Sequence, residues 1–87
     1  MHLYGVLASM KRRKVIPAYR LAFGQAIRIR RIELDLSQEL LAESVGCHRN
    51  YMGRIERGEQ NITLDMMMRV AKALQCSLAG LVKEAGL

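Results

Sequence analysis

The sequence predicts an all-α fold of five short helices, and three observations carry that expectation. Apolar residues recur every three or four positions from Tyr19 onward, no segment alternates with period two, and helix-capping residues stand at the ends of the periodic runs. With 87 residues, 51% of them hydrophobic and 25% charged, the chain can build one modest core. It is too short to join a catalytic domain to a binding domain.

Residues 1–18 hold Gly5, the basic run KRRK and Pro17 without a sustained period. They read as a basic N-terminal arm, flexible or weakly structured, ahead of a domain over residues 19–87. Two readings of KRRK stand side by side: a solvated tail, or an arm that adds phosphate or minor-groove contacts. A first helix runs to about Glu33 on Phe23, Ala26, Ile27 and Leu34, with Arg28 and Arg31 on its other face. Asp35 tolerates a left-handed turn, and Ser37 caps a second helix whose apolar face is Leu40, Leu41, Ala42 and Val45. Gly46 stops that helix. A third spans Arg49 to Arg57 and ends at Gly58. Thr63 caps a fourth, with Asp65 in its first turn, a core stripe of Leu64, Met67, Met68, Ala71 and Leu74, and Met66 turned elsewhere. Ser77 caps a short fifth on Leu78, Leu81 and Val82, with Gly86 at its end.

Charge points to the partner. Fourteen Lys and Arg against eight Asp and Glu give a net +6, concentrated early in the chain, which fits a polyanion such as nucleic acid or an anionic membrane. A basic amphipathic membrane helix fits poorly, because Pro17 interrupts the run and its neighbours lack a broad apolar face. The opening MHLYGVLASM precedes its charges, the reverse of a signal peptide, and two cysteines are too few for a disulfide framework. The expected setting is the cytoplasm. Cys47 beside His48 lacks a second ligand pair, so no metal and no cofactor are expected. Cys76 reads as a small apolar residue. The chain offers no nucleophile with its base, no paired carboxylates and no phosphate loop, so no enzyme is expected.

On a helical wheel Met52, Ile55 and Glu56 fall on one side of the third helix. Arg49, Asn50, Gly53, Arg54 and Arg57 fall on the other. Arginine matches guanine edges bidentately and asparagine matches adenine, so this face suits the edges of base pairs. For an isolated helix a solvated basic face would be the preferred explanation. The preceding helix alters the balance: Gln38, Ala42, Gly46, Met52 and Glu56 stand at the spacing Q-x3-A-x3-G-x5-M-x3-E. Ala42 is small where two helices cross, Gly46 makes the turn and Met52 fills the space between. That is helix-turn-helix geometry, with the second helix, 49–57, laid in the major groove. Gly53 costs helix stability; it is expected to let the backbone approach base edges, with a tolerated local weakness as the competing reading. Gln38, at a helix start, offers N–H groups and a favourable dipole to a phosphate. Because one short helix contacts few base pairs, a homodimer on a palindromic operator of double-stranded DNA is expected, joined through Leu78, Leu81 and Val82, with Leu87 beside them.

The chain also resembles the lambda-repressor-like, Cro-type (xenobiotic-response-element-type) DNA-binding regulators. RIELDLSQELLAESVG, RNYMGRIERGEQN and TLDMMMRVAKALQCSLAGLV match successive blocks of that family between Phe23 and Val82. RNYMGRIERG followed by N-x-T is similar to controller proteins of restriction–modification systems. The resemblance implies base reading by Arg49, Asn50, Gly53 and Arg54, phosphate contacts by Gln38, Arg57 and Asn61, and a structural ion pair of Arg31 with Glu56. It implies a transcription regulator, repressor or activator. An antitoxin-like or controller-type interaction protein, whose main role is partner binding, is the competing expectation. The chain departs from the family pattern at Asp35 and Gln75, where turn glycines are usual, at His48, where Ser or Thr caps, and at Ile62, where Pro is frequent.

Overall fold

The computed structural model describes residues 15–87 and, among them, five helices and no strand. The helices are α1 (Ala18–Glu33), α2 (Gln38–Val45), α3 (Arg49–Glu56), α4 (Leu64–Ala73) and α5 (Leu78–Glu84). Most of the expected arm, including KRRK, lies outside the described residues.

Local chemistry starts each of the last four helices. The hydroxyls of Ser37, Thr63 and Ser77 accept from the backbone N–H groups of Leu40, Met66 and Gly80 at 2.9–3.1 Å. His48 does the same work through a ring nitrogen: Nδ1 accepts from the Asn50 N–H at 3.1 Å. Gly46 closes α2 at φ 86, and Gly58 follows α3 at φ 75. Asp35 and Gln75 take up the same left-handed region, at φ 57 and 58, where an L side chain is strained.

Each helix contributes at least one residue to a single core. Ile27, Leu41, Met52, Val70 and Leu81 come from α1 to α5 in turn, Leu74 caps α4, and all are fully buried. Burial of such side chains stabilises by about 1.5–3 kcal/mol each. The apolar stripes depart from the expectation in detail. On α4 two overlapping stripes share Met67, Ala71 and Leu74, and the fold buries Val70, Ala71 and Leu74 while Met67, expected in the core, stays partly exposed at a surface groove. Leu64 and Met68 fall off that arc and are exposed, Met68 by 54%, while Met66 packs against the core instead of turning away. Leu40 is likewise exposed, because the buried arc of α2 is the narrow set Leu41, Ala42 and Val45. Leu81, expected at an interface between protomers, is 1% exposed and belongs to the core of its own protomer. Ile62, Cys47 and Cys76 pack against that core as partly buried residues.

Side chains and one close backbone crossing lock these helices together. Arg30 of α1 donates from Nε to the Leu74 carbonyl at 3.0 Å and from Nη2 to that of Gln75 at 3.3 Å, closing the end of α4. Arg69 of α4 donates to the Val45 carbonyl at 3.3 Å, closing the end of α2. A cation at a helix C-terminus meets the negative end of its dipole. Gly24 lets α1 cross the end of α3 with no side chain between: a Cβ there would stand 2.5 Å from the Glu56 carbonyl oxygen and 2.6 Å from that of Ile55.

Candidate nucleic-acid interface

The turn 46–48 sets α3 across α2, with Ala42 and Met52 buried between them. That burial turns the remaining side of α3 outward. Arg49, Asn50, Arg54 and Arg57 are all exposed. With Gln38 and Gly53 they line one polar depression of about 320 Å³. Two elements build this surface, the start of α2 and the length of α3.

Beneath it lies a buried ion pair. Glu56 is 6% exposed, and its carboxylate accepts from Arg31 Nε at 2.6 Å and Nη2 at 3.1 Å. Gln38 Nε2 donates to the same carboxylate at 3.0 Å, and Arg31 Nη1 donates to the Leu36 carbonyl at 2.8 Å. One arginine on α1 therefore ties the loop before α2 to α3, and the acid that faces inward from α3 is fully hydrogen-bonded. The Gln38 amide is partly committed to Glu56, so the N–H groups at the start of α2 are its remaining offer to an anion.

Gly53 differs from a plain open window. It is buried, and a Cβ there would come 3.1 Å from Arg57 Nη1 and 3.7 Å from Gln38 Oε1. The Arg57 guanidinium lies over it, held by Glu59 at 2.7 Å. The Glu59 carboxylate also keeps Arg57 more firmly protonated than usual, chiefly by hydrogen bonding. Close backbone approach at Gly53 therefore requires Arg57 to swing aside.

Asn61 is not brought together with the others. It lines a separate, mainly apolar groove with Tyr19, Phe23, Met67, Val82 and Leu87. Leu78 and Val82 are partly exposed and Leu87 is exposed, which leaves them available on the surface that Leu81 does not reach. Among the described residues no three metal-ligating side chains converge. Burial pushes the Cys47 thiol up, with Arg69 opposing, so its nucleophilic thiolate is disfavoured. No described helix is long and apolar enough to cross a membrane. Sequence reasoning passed over Gly24, which lets α1 lie against the end of α3, and Arg30, which closes the end of α4. A glycine within a helical pattern was the available signal for the first.

Comparison with known proteins agrees with this geometry. Over 53 residues the chain is 49% identical to control protein C.SmaI of Serratia marcescens, a match covering 61% of this chain and 63% of that protein, less than two thirds of its length. Control protein C.BamHI of Bacillus amyloliquefaciens is 46% identical over 56 residues, covering 63% of this chain and 69% of the other. Among solved structures, the restriction-modification controller protein C.AhdI from Aeromonas hydrophila superposes with a TM-score of 0.73 at 38% identity, covering 75% of this chain and 98% of that one. The helix-turn-helix family model matches residues 27–81, from the middle of α1 into α5. With more than half of the chain matched, and with the turn and α3 as described, the protein belongs to the helix-turn-helix family, in its Cro-type (XRE-type) class of DNA-binding regulators.

Proposed function

We infer that the protein is a sequence-specific transcription regulator that binds a palindromic operator as a homodimer, with α3 in the major groove. The observation that carries the reading is the polar depression shared by Gln38, Arg49, Asn50, Gly53, Arg54 and Arg57. In this reading Arg49, Asn50 and Arg54 meet base edges, with Gly53 between them. Arg57 and the start of α2 at Gln38 hold phosphates, and Asn61 holds a further one from its loop. Arg31 and Glu56 keep α3 at its angle. Two copies joined through Leu78, Val82 and Leu87 present two reading helices about 34 Å apart, one turn of DNA. The work is done in the cytoplasm and involves no catalysis. Likeness to the controller protein C.AhdI supports a narrower role, control of the genes of a restriction–modification system.

Selection of preferred duplexes from a random pool tests the reading directly, because it returns sequence, symmetry and spacing together. Arg54→Ala is expected to weaken binding to the selected operator by about 1–3 kcal/mol and to relax preference at one base position. Equal loss on all sequences would make Arg54 a phosphate contact. Affinity is expected to fall steeply with salt, and a flat response would remove DNA as the partner.

A further inference from the structure

We propose that Arg28 and Gln25 of α1 form, with Gln38 and Arg57, a second anion site that grips a backbone phosphodiester flanking the bases read by α3. The inference rests on the DNA-binding reading and extends it to a helix that the reading leaves out.

A second depression, of about 580 Å³, adjoins the first; Leu21, Ala22, Gln25 and Arg28 form one wall, and Gln38 and Arg57 the other. Gln38 and Arg57 also border the depression on α3, so the two hollows lie on either side of one polar ridge. Leu21, Gln25 and Arg28 stand at i, i+4 and i+7 and so share one face of α1. The hollow has the two-sided character that a sugar–phosphate strand requires. Leu21, 47% exposed, and Ala22 offer an apolar wall to a deoxyribose edge, while Arg28, Gln25 and Arg57 offer donors to the phosphate. A free inorganic anion has no use for the apolar wall.

The charges support the assignment. Glu56 borders the hollow, but its carboxylate is occupied by Arg31 and Gln38 and is almost fully buried. Arg30, Arg31 and Arg69 are committed to carbonyl or carboxylate acceptors of the protein, and Arg57 to Glu59. Arg28 is exposed and has no hydrogen bond or ion pair among the described residues, a condition it shares with Arg49 and Arg54 of the reading face. Of the exposed arginines without a protein acceptor among the described residues, Arg28 lines one hollow and Arg49 and Arg54 the other, whereas the half-buried Arg20, whose Nε has no partner, lines the separate groove beside Asn61.

The test is a salt titration of binding by the full chain to a selected operator and to an unrelated duplex of equal length. Arg28→Ala should lower affinity by the same factor on both duplexes and make the log–log salt slope shallower by about 0.9 for each protomer bound. Arg28→Lys should retain the slope. Lys83→Ala, a charge removed from α5, should change neither, and circular dichroism should show all variants folded. A methylphosphonate at the contacted flanking phosphate should erase the difference between wild type and Arg28→Ala. The proposal is overturned if Arg28→Ala keeps the wild-type slope, or if its loss is confined to the operator. If wild type binds neither duplex in a salt-dependent way, the DNA-binding reading itself falls; if Arg54→Ala alone impairs operator binding, only the α1 site falls.

Discussion

Two glycines inside helices show how one residue type takes opposite roles. Gly24 stands where a Cβ would meet backbone carbonyls, which cannot rotate away. Gly24→Ala is therefore expected to destabilise the fold by roughly 1–3 kcal/mol or more, as overpacking does, and urea denaturation measures it. At Gly53 the added methyl meets only the end of the Arg57 side chain, which can shift. Gly53→Ala should raise stability by about 0.5–1 kcal/mol through helix propensity. Its effect on operator affinity decides whether the missing side chain serves the reading of DNA: unchanged affinity would reduce Gly53 to a tolerated weakness. The glycine on α3 was legible in the sequence as an anomaly among arginines. The one on α1 gave only the signal of a glycine within a helical pattern, since what it touches lies a helix-turn-helix away along the chain.

At the scale of the element, the starts of helices were the most legible feature. Ser37, Thr63 and Ser77 act within three residues of themselves, so the sequence carries their whole environment. Ends were harder, because Arg30 and Arg69 close α4 and α2 from positions 44 and 24 residues distant from the carbonyls they bind. The α4 stripe was misjudged for a related reason: two faces satisfied the same period, and only the neighbours α2 and α5 choose between them. The turn after α4 supports a quantitative expectation. Gln75 holds a left-handed conformation, with a penalty of about 1–2 kcal/mol that glycine escapes, less the entropy glycine adds to the unfolded chain. Gln75→Gly should thus gain roughly 0.5–1 kcal/mol, seen as a higher melting temperature. Asp35→Gly should gain less, since aspartate tolerates this region better. An equal or larger gain at Asp35 would count against the argument.

For the whole molecule, the fold and the polar face of α3 followed from period, caps and spacing, whereas the joining surface did not. Leu81 satisfied the pattern of an exposed apolar stripe and yet fills the core, which leaves Leu78, Val82 and Leu87 as the surface of the proposed dimer. Val82→Glu is expected to shift sedimentation from dimer to monomer while circular dichroism stays helical, and to weaken operator binding far more than binding to one half-site. A variant that remains dimeric would move the joint elsewhere. For the proposed dimer, the crossing at Gly24 bears on how imperfect operators would be met. Where α1 rests on the last carbonyls of α3, no rotamer intervenes and nothing there can bend by a side-chain flip. In the proposed complex α3 would act as a rigid tooth on each protomer. Tolerance for half-sites set slightly too close or too far must then come from the hinge between protomers or from the bending of the DNA.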